Sequence, residues 1–303
     1  MKNSGNTILI TGGGSGIGEA LAHRFHDAGN VVIIAGRRQD ALDAAAAGRP
    51  NIHAVTLDVE SAEGVADFAA RVLSSFPALN VLINNAGIMR FEALDHARDL
   101  SDAEATITTN LLGPIRLTNA LIDHLVVQAD AAIVNVTSGL AFVPLVDTPT
   151  YNATKAAIHS YTVAMRDALN GKVEVIELAP PAVQTGLTPG QESREGYQPL
   201  DEFADEVMAL FAQQHAAGDP GPARGLPSQC RARGPVRRDF PTTQPVRPPG
   251  AWQSQLRTPT CRSRISSCPK PRSRRRKRPT WHIARPICLS NISVKVRGHI
   301  RWC

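Results

Sequence analysis

Tyr151 and Lys155 stand four residues apart in the segment Tyr151-Asn152-Ala153-Thr154-Lys155, which opens a stretch with helical patterning. Residues at this spacing share one face of a helix, so the two side chains are expected to be neighbours. A Lys ammonium a few ångströms from a phenol favours the phenolate and lowers the Tyr pKa. A Tyr whose pKa falls from about 10 toward neutrality can exchange a proton with a substrate oxygen. The pair therefore predicts general acid–base chemistry.

Ser138 is the next candidate, because it lies just beyond the apolar run Ala132–Val136 and shortly before Tyr151. That run is predicted to be a buried parallel strand, and ligands bind outside the carboxyl ends of such strands. The hydroxyl of Ser138 is therefore expected to hold a substrate carbonyl beside Tyr151. The alternative is that Ser138 is an ordinary turn residue together with Gly139.

A glycine-rich segment, Thr11-Gly12-Gly13-Gly14-Ser15-Gly16-Ile17-Gly18, lies between the first predicted strand and the first predicted helix. Glycines let a backbone turn tightly and approach a pyrophosphate, and a helix N-terminus offers unpaired N–H groups to it. The strand–loop–helix context favours a dinucleotide site over a plain turn. The expected contacts are Gly12, Ser15, Gly16, Ile17 and Gly18.

Two arginines, Arg37 and Arg38, follow the second predicted strand directly after Gly36. An NAD site usually places an acid here for the ribose 2′-OH, and Gly36 stands where that acid would be. Guanidinium groups suit a 2′-phosphate, so the segment favours NADP(H) over NAD(H) as cofactor. The alternative is that both are solvated loop arginines.

The elements that must position these residues alternate along the chain. Apolar, β-branched runs of strand length are separated by helical patterns, which predicts an α/β fold with a Rossmann-type, doubly wound parallel sheet in a single domain. The predicted strands are Thr7–Ile10, Val31–Ala35, Ile52–Leu57, Val81–Ile83, Ala132–Val136 and Val173–Leu178. The predicted helices are Glu19–Ala28, Ala62–Ser75, Ser101–Val127 and Thr150–Leu169.

The helix Ser101–Val127 carries local signals of its own. Ser101 with Glu104 three residues later predicts a capping box, and Pro114 predicts a kink. A short amphipathic helix is expected after Pro199, with an apolar face made by Phe203, Val207, Leu210 and Phe211.

Charge divides the chain near residue 213. Residues 1–213 hold 13 Lys+Arg against 25 Asp+Glu, a net charge of −12, whereas residues 214–303 hold 20 against 2, a net charge of +18. All five Cys fall in the second part, without any C-x-x-C pair, so neither a disulfide framework in the first part nor a zinc site is expected. Few large apolar residues accompany the Arg and Pro of the second part, which predicts a disordered, basic tail.

The motifs together resemble the short-chain dehydrogenase/reductase family over roughly residues 5–213. The resemblance rests on Thr11-Gly12-x-x-x-Gly16-x-Gly18, Asn84-Asn85-Ala86-Gly87, Asn110, Ser138 and Tyr151-x-x-x-Lys155, in this order. It implies an enzyme, an NADP-dependent oxidoreductase that transfers a hydride between the nicotinamide and a carbonyl or secondary alcohol of a small molecule. Apolar residues after Ser138 indicate a substrate with some apolar bulk.

The resemblance also implies the roles of single residues. Tyr151 would be the general acid or base, Lys155 would lower its pKa and bind the nicotinamide ribose, and Ser138 would orient the carbonyl. Asn110 would hold a helix distortion and a water that link Lys155 to solvent, unless it simply faces solvent. Further cofactor contacts would be Asn85, Ala86 and Gly87 along the channel and Thr185 near the carboxamide. Asp58 would meet the adenine, or it could instead cap the next helix.

The resemblance to the family ends near Gln213, so the segment that closes the family's domain is expected to be missing. We hypothesise that residues 214–303 are a frameshift product or a recent fusion. The alternative function is an inactive or truncated dehydrogenase-like protein whose basic tail, around Arg274-Arg275-Arg276-Lys277-Arg278, binds nucleic acid or an acidic partner non-specifically. For the enzyme itself we expect a cytoplasmic homodimer or higher homo-oligomer, with no metal, membrane or nucleic-acid partner.

Overall fold

Six parallel strands form one sheet in this computed structural model, which describes residues 1–216, and their order is β3-β2-β1-β4-β5-β6. The strands are β1 Thr7–Thr11, β2 Val31–Gly36, β3 Ile52–Thr56, β4 Leu79–Asn84, β5 Ala132–Val136 and β6 Glu174–Leu178. The helices are α1 Gly16–Asp27, α2 Gln39–Ala46, α3 Ala62–Ser75, α4 Ser101–Ile107, α5 Gly113–Leu125, α6 Pro149–Ala168 and α7 Leu200–Ala216.

Both faces of the sheet are covered, because successive strand residues point to opposite sides. On one face, Ile8 and Ile34 belong to a buried cluster with residues of α1, α2 and α7. On the other, Leu9, Ile33 and Leu82 belong to a cluster with residues of α3, α5 and α6. The prediction of a doubly wound, Rossmann-type parallel sheet is therefore confirmed.

The helix predicted from Ser101 to Val127 is present as one continuous helical run over residues 101–125, but it ends at Leu125 and is not α-helical throughout. The chain forms α4, then a five-residue π-helix at Thr108–Leu112, and then α5, with Pro114 in the first turn of α5. The predicted capping box is wrong, because Ser101 is already inside the helix. Its backbone N–H donates to Asp99 Oδ1 at 3.1 Å and its hydroxyl donates to Asp99 Oδ2 at 2.7 Å.

The amphipathic helix expected after Pro199 is present as α7, which continues three residues past Gln213. Residues 217–303 lie outside the described part of the chain, and with them the predictions of disorder, frameshift and nucleic-acid binding for the tail. Among the helices of residues 1–216, none is long and apolar enough to cross a membrane.

The contact between α7 and α1 gives a test of whether α7 belongs to the folded unit. Phe211 is 5% exposed and its ring centroid lies 5.9 Å from that of Phe25. We expect Phe211→Ala to lower the free energy of unfolding by about 3 kcal/mol, through lost burial and a cavity. Urea unfolding measures this, and Leu210→Ala, at a residue that is 48% exposed, is the matched control with an expected change within about 0.5 kcal/mol. Equal effects of both substitutions would contradict the packing.

Candidate active site

Thr11 and Asn85 join the carboxyl ends of β1 and β4 at the centre of the sheet. The Thr11 hydroxyl accepts from the backbone N–H groups of Asn85 and Ala86, both at 3.0 Å, and donates to the Ile83 carbonyl at 3.4 Å. The Asn85 amide donates back to the carbonyls of Thr11 and Gly12, at 2.9 and 3.3 Å. Successive strands are added on opposite sides of this point, and such a switch in strand order opens a crevice for a ligand.

The glycine loop packs so closely against the rest of the protein that several of its positions cannot carry a side chain. Gly12 and Gly16 have φ of +67° and +56°, a backbone conformation that favours glycine. A Cβ on Gly18 would lie 2.3 Å from the Gly12 carbonyl oxygen, so only glycine permits this approach. Ser15 is the N-cap of α1 but makes no side-chain hydrogen bond to the helix, and Ile17 packs on the core. The start of α1 thus fits the phosphates of a dinucleotide.

Arg37 and Arg38 are both exposed at the carboxyl end of β2. Arg37 Nη1 lies 3.5 Å from Glu60 Oε1, and Arg38 is the N-cap residue of α2. Asp58 is exposed and accepts from the Glu60 N–H at 3.0 Å. The alternative that Asp58 caps α3 is wrong, because the Ser61 hydroxyl accepts from the first turn of that helix.

Asn110 lies in the π-helix and is 1% exposed, so the alternative that it faces solvent is wrong. Its Oδ1 accepts from the Ile88 N–H at 2.8 Å and its Nδ2 donates to the Ile88 carbonyl at 2.8 Å and to Thr154 Oγ1 at 3.4 Å. A Cβ on Gly87 would approach Asn110 Oδ1 to 3.2 Å. Asn110 therefore ties the segment after β4 to α6.

The side chains of Ser138, Tyr151 and Lys155 meet between β5 and α6. Tyr151 is 6% exposed and hydrogen-bonds with Ser138, which as an N-cap also accepts from the Leu140 N–H at 3.1 Å. Lys155 Nζ lies 5.6 Å from the centroid of the Tyr151 ring and donates to the Val136 carbonyl at 2.8 Å. The spacing along α6 thus places phenol and ammonium side by side, as predicted from the sequence.

The pKa values of this pair differ from the expectation. Burial raises the pKa of Tyr151 above its ordinary value, and the hydrogen bond with Ser138 only opposes that rise. Burial lowers the pKa of Lys155 to about 8, because the charged ammonium loses its water. The predicted net lowering of the Tyr151 pKa is therefore wrong, because the effect of burial exceeds the effects that favour the phenolate.

Thr185 lies above the glycine loop, with its Cβ 3.5 Å from where a Cβ on Gly16 would be. The Thr185 hydroxyl accepts from Gln191 Nε2 at 3.1 Å, and the same amide donates to the Val183 carbonyl at 2.9 Å. Gln191 is 8% exposed, so this loop is held by a buried amide. Within residues 1–216 there is no group of three His, Cys, Asp or Glu side chains placed to hold a metal ion.

A family model described as short chain dehydrogenase matches residues 6–196 of this chain. The chain belongs to the short-chain dehydrogenase/reductase family.

Several members of the family are similar to this chain in sequence. It is 43% identical over 213 residues to an uncharacterized oxidoreductase, DltE, of Bacillus subtilis, covering 70% of this chain and 84% of the relative. It spans 55% of the length of 11-beta-hydroxysteroid dehydrogenase 1A of Arabidopsis thaliana, at 31% identity over 192 residues.

Solved structures of similar fold carry both kinds of nicotinamide cofactor. An alcohol dehydrogenase of Thermococcus sibiricus with 5-hydroxy-NADP matches at 29% identity and a TM-score of 0.63, over 68% of this chain and 90% of that one. A 3-ketoacyl-(acyl-carrier-protein) reductase of Brucella melitensis with NADH matches at 28% identity and a TM-score of 0.64, over 70% and 93%. This short-chain dehydrogenase thus has the fold of oxidoreductases that use nicotinamide cofactors.

Three polar residues at this site were not among the predicted site residues. Thr11 was recognised only as part of the glycine motif, and neither Gln191 nor Glu92, a 2%-exposed carboxylate bonded to the start of α6, stands in any motif. An isolated acid between apolar neighbours, as in Phe91-Glu92-Ala93-Leu94, was the one signal for Glu92 in the sequence.

The buried ammonium of Lys155 predicts a pH-dependent stability. A shift of its pKa from 10.5 to about 8 corresponds to about 3 kcal/mol at neutral pH, so Lys155→Met is expected to raise the free energy of unfolding at pH 7 by about 2 kcal/mol after loss of the bond to Val136. Between pH 8 and 10.5 the unfolded chain binds more protons at Lys155 than the folded protein, so the lysine form gains stability as pH rises. The advantage of the Met variant must therefore shrink across that window.

Urea unfolding of both proteins at pH 7 and at pH 9.5 measures the difference. Lys172→Met is the control, since Lys172 is exposed, and its effect on stability should not change with pH in the same way. A Lys155→Met variant that is less stable than the parent at pH 7 would contradict the burial cost.

Proposed function

We propose that this protein is an NADP(H)-dependent oxidoreductase that interconverts a carbonyl and a secondary alcohol of a small molecule, with Tyr151 as general acid and base. The observation that carries the proposal is the contact of Tyr151 with both Ser138 and the Lys155 ammonium at the carboxyl edge of the sheet. A phenol, a hydroxyl and an ammonium in one buried group are suited to proton exchange with a substrate oxygen.

Each of these side chains has its own task. The Ser138 hydroxyl donates to the substrate oxygen and holds it beside the phenol, which gives its proton during reduction and takes it back during oxidation. A positive charge on Lys155 stabilises the phenolate that remains after proton transfer. Asn110 keeps the segment after β4 fixed against α6, so that the reacting groups stay aligned.

The cofactor fits the residues that line the edge of the sheet. Its pyrophosphate would lie at the start of α1 over Gly12, Ser15, Gly16, Ile17 and Gly18, its adenine near Asp58, and its nicotinamide half near Asn85, Ala86, Gly87, Lys155 and Thr185. When bound, this cofactor supplies or accepts the hydride. NADP(H) is favoured over NAD(H) because Gly36 offers no carboxylate to a ribose hydroxyl and two exposed guanidinium groups follow it.

The substrate is proposed to carry apolar bulk. The segment between Ser138 and Tyr151 presents a continuous run of exposed apolar side chains, with Phe142 48%, Val143 72%, Leu145 38% and Val146 85% exposed. Apolar side chains in a row beside a reaction centre favour a substrate that can cover them.

A homodimer is proposed from a second exposed apolar set. Ile107 at the end of α4, Leu112 in the π-helix and Val163 on α6 are 41%, 37% and 46% exposed. The resemblance to short-chain dehydrogenases implies that the helical stretch after Ser101 and the helix that carries Tyr151 build the dimer surface.

Tyr151→Phe is the direct test of the proton donor. We expect kcat with NADPH to fall by about 10³-fold, because the phenyl ring keeps the packing but has no proton to give. Nicotinamide fluorescence on titration with NADPH should show binding within about twofold of the parent. Tyr197→Phe, at a partly buried tyrosine outside this group, is the matched control and should leave kcat unchanged.

A panel of aldehydes and ketones of increasing apolar size would provide the substrate for this assay. Soluble parent protein that neither binds NADPH nor reduces any member of the panel would exclude the proposed activity, and unchanged turnover by Tyr151→Phe would exclude the assigned donor.

The two arginines predict the cofactor preference. Arg38→Ser and Arg37→Ser should each weaken NADPH binding by about tenfold, since a charge-assisted contact to the 2′-phosphate is lost, while NADH binding stays the same. Arg71→Ser removes an exposed arginine on α3 and controls for net charge. Equal loss of NADPH and NADH affinity, or an equal effect of Arg71→Ser, would show that the arginines are merely solvated.

A further inference from the structure

Glu92 is a buried carboxylate in the connection between β4 and α4, and its side chain is 2% exposed. Its Oε2 accepts from Arg98 Nη2 at 2.5 Å and from Thr150 Oγ1 at 2.8 Å. Its Oε1 accepts from the backbone N–H of Thr150 at 3.2 Å. A carboxylate that leaves water is costly unless it is paired and hydrogen-bonded, and these three bonds meet that need.

The Thr150 N–H that Glu92 receives belongs to the first turn of α6. The N-cap residue of this helix, Thr148, makes no side-chain bond to the helix N–H groups, and Pro149 has no N–H to offer. Glu92 therefore takes the place of a capping side chain from a distant part of the chain. The negative charge of Glu92 is also stabilised by the positive end of the helix dipole at the start of α6.

Glu92 joins the two segments that flank the reacting groups. Its backbone N–H donates to the Asp147 carbonyl at 2.9 Å, so the connection after β4 and the segment before α6 are bonded at two neighbouring points. Tyr151 follows Thr150 directly. Within residues 1–216, the hydrogen bond shown for the Tyr151 phenol is the one with Ser138. The direction of the first turn of α6 thus sets where the phenol lies.

We propose that Glu92 is a positioning residue for the reaction: by binding both polar groups of Thr150 it fixes the first turn of α6 and thereby the place of the Tyr151 hydroxyl beside Ser138. This inference rests on the proposed function of Tyr151. The bonds of Glu92 reach Arg98, Asp147 and Thr150, and within residues 1–216 neither the Tyr151 phenol nor the glycine loop is among its hydrogen-bond partners.

Glu92→Gln is the main test. The amide keeps one acceptor oxygen but presents an N–H₂ group to the Arg98 guanidinium or to Thr150, and it removes the negative charge. We expect kcat to fall by about tenfold, because small displacements of a proton donor are costly, while the affinity for NADPH measured by fluorescence stays within about twofold. Thr150→Val removes one of the three bonds, leaves the backbone N–H in place and should give a smaller fall in kcat with the fold intact.

Asp102→Asn is the matched control, since Asp102 is an acid in the first turn of α4 that pairs with Arg90 at 3.3 Å in an exposed position. It should leave kcat and NADPH affinity unchanged. A Glu92→Gln protein with the kcat of Asp102→Asn would overturn the inference. So would a parallel loss of kcat and NADPH affinity, which would indicate general loosening of the fold.

A second readout does not depend on turnover. Burial raises the pKa of Tyr151, so a first turn that has loosened admits water and moves the titration of this phenol toward its ordinary value. Tyrosinate absorbance against pH, with Tyr151→Phe subtracted, should show this shift in Glu92→Gln and not in Asp102→Asn. If the parent protein has no activity, the proposed function fails, and this titration alone decides whether Glu92 positions Tyr151.

Discussion

The bond between Thr11 and Asn85 is the constraint on which the rest of the structure depends. At the centre of the sheet, β1 and β4 end side by side and their chains leave in different directions, one into the glycine loop and the other toward α4. Their last peptide groups would lack partners there, and a Thr hydroxyl and an Asn amide supply them. Because Asn85 also donates to the Gly12 carbonyl, the glycine loop and the segment after β4 are fixed to each other.

Other side chains of the site also hydrogen-bond to backbone groups that would lack partners. Asn110 binds both backbone groups of Ile88, Lys155 binds the carbonyl of Val136, and Ser138 accepts from the backbone beyond it. Side chains assigned to chemistry thus also complete the hydrogen bonding of irregular backbone at the edge of the sheet. Such residues are held in place by the protein's own backbone, at the cost of burying a lysine whose pKa falls to about 8.

The sequence was sufficient for those features that depend on local pattern. Buried parallel strands read as continuous apolar runs, and the glycine motif and the Tyr151–Lys155 pair have fixed spacings, so the sheet and the core of the site could be predicted. The π-helix at Thr108–Leu112 could not be predicted, because its residues continue a helical pattern. Only the spacing of the backbone hydrogen bonds changes, from four residues in an α-helix to five in a π-helix. Glu92 bonds to Thr150, which lies 58 residues further along the chain, and Gln191 bonds within its own loop but stands in no motif, so neither could be predicted. The direction of the Tyr151 pKa is set by burial, which spacing does not reveal.

A π-helix holds one more residue in a turn than an α-helix does, so Thr108–Leu112 acts as a single-residue insertion. Compared with an uninterrupted α-helix of the same sequence, each residue after the π-helix is displaced by the rotation of one residue, about 100°, around the helix axis. The apolar face of α5 therefore points in a different direction from the one that it would have if α4 continued as an α-helix. Buried Leu117 and Leu121 can face the sheet while Asn110, a few residues earlier, turns aside to reach Ile88. The angular offset lets one stretch of chain serve two neighbours at once, the hydrophobic sheet below and the polar edge above.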